Sequence, residues 1–261
     1  MTNVLVLSPH LDDAAFSVGP LLAELSKHAS IVVATAFTKS ESKLSQFALA
    51  CQLDKGLSAE VDYMAIRRKE DIEWSRRISA QAVHGAFAEA PHRGYQSAQE
   101  LFGPVLATDK LGDALKVWFS DLVQTFKPTT VLCPIAIGNH VDHQWVREIA
   151  TASLDAKFQL FFFKDQPYAA KLNPFQVENY LGCVRAWCES NVSFSKSSLL
   201  TALFSAEAYQ TQIPFQFGHT DKMRHTLREA WGQNLSLFHS DVIPLSDTMF
   251  SPFAIERLCL D

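Results

Sequence analysis

The chain has 261 residues, 48% of them hydrophobic, and a formal net charge of −5 at pH 7. That supplies apolar residues for a full core and no basic surplus to neutralise a phosphate backbone, which excludes nucleic acid as a partner. No apolar run reaches the roughly 18 residues of a membrane-spanning helix.

In chain order, Val4-Leu5-Val6-Leu7 reads as a buried strand over residues 3 to 8, followed by the turn Pro9-His10-Leu11-Asp12-Asp13. A helix from Val18 to about Lys27 then places Leu21, Leu22 and Leu25 on one face. After a strand over 31 to 37, Thr38 to Asp62 has no clear period and reads as a loop with a short helix over the sheet edge. A charged helix from Met64 to Ile78 leads to a strand near 82 to 87 and a turn, Ala90-Pro91-His92-Arg93-Gly94-Tyr95. His92-Arg93 lies where loops carry function, so Arg93 is expected to touch substrate. From Asp113 to Phe126, residues Leu115, Trp118, Phe119 and Leu122 recur at helical spacing. Strands follow at 129 to 135 and 158 to 163, separated by Gly138-Asn139-His140-Val141-Asp142-His143 and an amphipathic helix from Gln144 to about Leu154.

This alternation predicts an α/β fold with a mostly parallel sheet flanked by helices, in the order 3-2-1-4-5 by analogy with doubly wound folds. The chain reads as a single domain over 1–261, with 170–261 as a C-terminal extension whose one clear helix lies near Asp221 to Trp231. The five cysteines, at 51, 133, 183, 188 and 259, form no C-x-x-C pair and no disulfide framework. With a start that enters a strand and lacks a basic and apolar leader, they point to a soluble protein of the reducing cytoplasm. Homo-oligomerisation is compatible with this sequence.

Two histidine turns, each after a buried strand, meet at the carboxyl edge of such a sheet. A catalytic zinc takes three protein ligands and keeps an open position, which His10, Asp13 and His143 would satisfy. One carboxylate against a divalent ion leaves a net positive site, so water there loses a proton near neutral pH. Asp12 points away from its neighbour's ligand position and is the expected general base. His140 is placed to meet developing negative charge, and Asp142, opening the helix, to support a metal ligand from behind. Helix capping explains a lone Asp-Asp turn. It does not explain two histidine turns at one edge.

Ser8-Pro9-His10-Leu11-Asp12-Asp13 with Gly19, and His140-Val141-Asp142-His143 downstream, resemble the PIG-L/LmbE family of zinc-dependent N-deacetylases. Arg67-Arg68-Lys69-Glu70 and Asp165-Gln166-Pro167-Tyr168 are softer echoes, and the likeness covers residues 3 to 170. It implies a Rossmann-like fold, zinc on His10, Asp13 and His143, a base at Asp12, charge stabilisation by His140 and an arginine near the substrate at Arg67. The substrates it implies are N-acetylglucosamine-containing sugars, among them glycolipids, thiol glycosides and antibiotic precursors. Leu11 stands in place of the family's usual proline. Ala14 stands where many members carry glutamate, removing a carboxylate that would sit behind the ligands.

The expected function is therefore removal of an N-acetyl group from an amino sugar or glycoconjugate. Alternatives are an amidase acting on a larger conjugate and a metal-free binding module. The order His10-x-Asp12…His143 also matches the facial triad of non-haem iron oxygenases, with Asp12 as ligand. Those enzymes are usually all-β, which this chain is not.

Overall fold

The computed structural model describes residues 2–152, 158–173, 175–177, 180 and 187–240. Its centre is β1 (Asn3–Ser8), a continuous apolar run buried on both faces, as a strand covered by helices on each side must be. Parallel to it lie β2 (Ser30–Phe37), β3 (Gln81–Phe87), β4 (Thr130–Pro134) and β5 (Gln159–Phe163). Their order is β3-β2-β1-β4-β5, as expected. Since β1 leads outward to β2 on one side and has β4 on the other, a crevice opens beyond the carboxyl ends of β1 and β4.

Two further strands join this sheet from the C-terminal extension. β6 (Trp187–Ser193) and β7 (Asn234–Ser240) pair antiparallel, and β7 lies antiparallel against β5 with Phe162 opposite Phe238. The resulting order is β3-β2-β1-β4-β5-β7-β6. Neither strand has the unbroken apolar run of the parallel strands: β6 carries Glu189, Ser190, Asn191 and Ser193, and β7 carries Asn234 and Ser236. Of the extension, residues 241–261 lie outside the described residues, as do the last positions expected of the helix ending near Leu154.

Nine helices among the described residues cover the sheet. They are α1 (Asp13–Leu25), α2 (Gln46–Leu53), α3 (Tyr63–Arg77), α4 (Ala98–Leu101), α5 (Gly112–Phe126), α6 (Val141–Ala152), α7 (Lys196–Ala206), α8 (Ile213–Phe217) and α9 (Thr220–Trp231). Alternate strand residues feed two cores. Val4 and Val6 pack with α1, Trp74, α7 and Trp231, whereas Leu5 and Leu7 pack with α5 and α6.

Two helix starts differ from expectation. α1 begins at Asp13, five residues before Val18, and is broken at Val18 (φ −131°, ψ 16°) because Pro20 removes a backbone donor and crowds the preceding turn. The apolar period alone therefore marks only its second half. Gly19 lies at this break, where a Cβ would meet that of Ala202 at 3.3 Å, so α1 and α7 approach closely. α6 begins at Val141 and not at Gln144, which puts Asp142 and His143 in its first turn. His140 Nδ1 accepts the Asp142 N–H at 3.2 Å and so satisfies one of the free donors there. No helix among the described residues is long and apolar enough to cross a membrane.

Candidate metal centre at the carboxyl edge of the sheet

The turn after β1 is stitched by its own polar groups. Ser8 Oγ donates to His10 O at 2.7 Å and accepts from Ala14 N at 3.2 Å, while the His10 N–H donates to Asp13 Oδ2 at 2.8 Å. Asp12 occupies the N-cap position of α1 yet makes no capping bond with its side chain. Capping therefore does not account for this carboxylate.

The turn after β4 brings His143 to the same place. His143 Nε2 lies 3.3 Å from His10 Nδ1 and 3.2 Å from Asp13 Oδ2, and His10 Nδ1 lies 3.3 Å from that same oxygen. Two tetrahedral ligands with metal bonds of about 2.0–2.1 Å stand roughly 3.3–3.4 Å apart. The three atoms thus form one face of a zinc-sized tetrahedron, with the fourth position left to solvent or substrate. One ring nitrogen from each of His10, His140 and His143 also falls within 4.8 Å of the others, so His140 borders this face but does not belong to its tightest triangle.

Each imidazole is oriented from behind. His10 Nε2 is 2.9 Å from Asp142 Oδ2, and His143 Nδ1 is 2.6 Å from Asp165 Oδ1. A carboxylate on the remote nitrogen fixes the tautomer and leaves the inward nitrogen free to ligate. Asp142 and Asp165 thereby supply the support that Ala14 lacks. Asp142, expected behind a ligand, lies against the remote nitrogen of His10. Asp165 was absent from the expected site, although its position directly after β5 repeats the signal of the other two turns; its Oδ2 also accepts from Ile137 N at 2.8 Å.

Electrostatically the cluster is built around charge. Burial opposes a charged His10 ring, but the Asp13 and Asp142 carboxylates outweigh it and lift its pKa to about 9. His143 is raised in the same way by Asp13 and Asp165 against its burial. Burial works against the Asp13 carboxylate, which His143 and His10 nonetheless hold far below the usual range. Protons on these imidazoles and a bound cation thus compete for the same carboxylate-lined nitrogens.

Asp12 faces away from this triangle. Its Oδ2 accepts from Gln216 Nε2 at 2.8 Å, and its Oδ1 is 3.5 Å from Arg67 Nη2. Burial, partly offset by Arg67, raises its carboxyl to about 7, where it can accept and return a proton near neutrality. His140 stands edge-on to His10 with ring centroids 4.8 Å apart. Burial and the neighbouring His10 hold it neutral, down to about 3. With Nδ1 accepting the Asp142 N–H, its proton resides on Nε2, as an oxyanion donor requires.

The two arginines expected at the substrate are engaged with protein carboxylates. Arg67 is buried, pairing with Glu89 Oε1 at 2.5 Å beside its longer contact to Asp12. Arg93 donates to Asp142 Oδ1 at 2.7 Å, to Asp109 Oδ2 at 3.0 Å and to Ala88 O at 2.6 Å. Its place is thus behind the ligand set, holding Asp142 toward His10. Glu89 and Gln216 were not foreseen; Gln216 sits in a stretch without periodicity, far along the chain.

Residues 5–154 match the family described as PIG-L, GlcNAc-PI de-N-acetylase. The chain is 33% identical over 181 residues to 2'-N-acetylparomamine deacetylase of Streptomyces fradiae, covering 69% of this chain and 62% of that protein. It therefore spans about three-fifths of the length of that curated relative. Among solved structures, A40926 pseudoaglycone deacetylase Dbv21 is 25% identical with a TM-score of 0.74, over 91% of this chain and 96% of that one. The zinc-inhibited form of teicoplanin deacetylase Orf2 shares the fold at 24% identity with a TM-score of 0.77, over 92% and 99%. The matched segment exceeds half of the sequence and carries both histidine turns, and the chain belongs to the PIG-L family.

Proposed function

We propose that this protein is a zinc-dependent hydrolase that removes the N-acetyl group from an amino sugar of the N-acetylglucosamine type or a related glycoconjugate. The observation that carries this reading is the triangle of His10 Nδ1, Asp13 Oδ2 and His143 Nε2 with edges of 3.2–3.3 Å, beside a separate buried carboxylate. Family membership, and relatives described as a 2'-N-acetylparomamine deacetylase and an A40926 pseudoaglycone deacetylase, support the substrate class.

Zinc held by His10, Asp13 and His143 would polarise the amide carbonyl and acidify water at the open position. Asp12 takes the proton from the attacking water and delivers it to the departing amine, since burial sets its basicity in the range that serves both steps. His140 donates from Nε2 to the carbonyl oxygen as it gains charge. Asp142, fixed by Arg93, and Asp165 hold the two imidazoles, and Arg67 anchors the region around Asp12 through Glu89.

The place of Asp13 between both imidazoles favours this ligand set over the facial-triad reading, which requires Asp12 there. The cysteine pattern favours a cytoplasmic site of action. Acetate release from a panel of N-acetylated amino sugars, with and without a chelator, tests the proposal. Chelator-sensitive release supports it; turnover of none of the panel by zinc-loaded protein refutes it.

A further inference from the structure

We infer that Gln216, from the C-terminal extension, is a positioning residue that sets the orientation of the Asp12 carboxylate; the kinetic consequence rests on the function proposed above. The segment carrying Gln216 lies beyond residues 5–154 and reaches the site by being tied along α3. Tyr209 Oη donates to Asp71 Oδ1 at 2.7 Å, Thr211 donates through N and Oγ1 to the two oxygens of Glu70 at 2.8 and 2.7 Å, and Gln212 Nε2 donates to Tyr63 Oη at 2.6 Å. Tyr63, Glu70 and Asp71 are all buried residues of α3, the helix that also carries Arg67. These four bonds fix α8 so that Gln216 Nε2 meets Asp12 Oδ2 at 2.8 Å.

The two oxygens of Asp12 therefore have unequal partners. Gln216 makes a good hydrogen bond to Oδ2, whereas Arg67 stays 3.5 Å from Oδ1, its guanidinium drawn instead to Glu89 at 2.5 Å. A carboxylate beside a buried guanidinium rotates to close such a gap unless something holds it. Gln216 is the group positioned to do so. Without it, Asp12 would close onto Arg67 as a tight ion pair, turning its lone pairs from the reacting water. A displacement of about 1 Å in a reacting group costs on the order of 100-fold in rate.

The test compares Gln216→Met, which keeps side-chain length but has no donor, with Gln216→Ala. Both variants should bind one equivalent of zinc, unfold cooperatively, and show kcat lowered about 10- to 100-fold with KM within about twofold of the parent. Restoration of kcat by methionine would assign Gln216 to packing and overturn the inference. An arm independent of turnover uses NMR of zinc-loaded protein. The Gln216 side-chain amide protons should shift upfield in Asp12→Ala, because their carboxylate acceptor is gone. Unchanged amide shifts would overturn the inference whether or not the parent is a deacetylase. Absence of acetate release from the parent, with the shift observed, would instead refute only the proposed function.

Discussion

Asp12 and His143 both border the same centre, but their side chains face different partners. His143 Nε2 faces the triangle and its ring is fully buried, so no water replaces it at little cost. Asp12 contributes no atom to the triangle. Asp12→Ala is therefore expected to retain one equivalent of zinc while losing at least about 100-fold in kcat, the usual scale of general-base removal. His143→Ala should lose both zinc and turnover. Metal analysis of dialysed protein alongside acetate release checks the pair, and loss of zinc in the Asp12 variant would contradict the assignment of Asp12 as a base outside the ligand set. At this scale the sequence was informative wherever a polar turn follows a strand, as with His10, Asp13, His140 and His143, which the fold brings together. It was silent on Gln216 and Glu89, whose roles arise from tertiary contacts with no local pattern. Arg93 illustrates a third case: its loop position suggested substrate contact, whereas its guanidinium points to Asp142 and Asp109, which no local pattern announces.

Among the elements, strands were the most legible, because a parallel sheet covered on both faces demands unbroken apolar runs such as Val4 to Leu7 and Leu160 to Phe163. Helix starts were less so. The apolar period marks only the part of α1 beyond the kink at Val18, and the helix continues across it packed against α7 and α9. The same packing creates a pH-dependent joint. Glu24, near the end of α1, accepts from Lys27 Nζ at 2.8 Å and from the Ser195 N–H at 2.8 Å, at the N-cap of α7. Burial disfavours its charge, but these hydrogen bonds prevail and lower its pKa from 4.5 to about 2. A carboxylate with a depressed folded-state pKa stabilises the fold fully above its unfolded value. That stabilisation is lost as pH falls from 4.5 toward 2. Glu24→Gln should thus cost about 1–2 kcal/mol at pH 7, less than the full shift implies because Lys27 is partly solvated. The difference from the parent should shrink steadily in denaturant titrations below pH 4.5; a constant difference would contradict the assignment.

On the scale of the whole molecule, the metal centre joins parts of the chain that are remote in sequence: the turn after β1, the first turn of α6, and Asp165 beyond β5. Unfolding scatters these groups, so a ligand bound by all of them stabilises the entire fold by RT ln(1 + [L]/Kd). The sign of its pH dependence follows from the imidazoles. In the cation-free protein, raised pKa values mean that protonated His10 contributes stability fully below its ordinary value of 6.5, and this contribution is lost as pH rises through about 9. Zinc requires the same nitrogen without its proton, so its affinity strengthens over that range, by about tenfold per pH unit for each proton displaced. At fixed free zinc well above Kd, moving from pH 6 to pH 8 should therefore increase the zinc-induced stabilisation by about 2.7 kcal/mol if one proton leaves, and by more if His143 also releases one. Thermal unfolding in metal buffers at the two pH values measures this difference. His143→Ala should show no comparable zinc-induced shift at either pH. An equal shift at both pH values in the parent would mean that zinc does not displace the imidazole protons, and the tetrahedral face formed by His10, Asp13 and His143 would then not be where it binds.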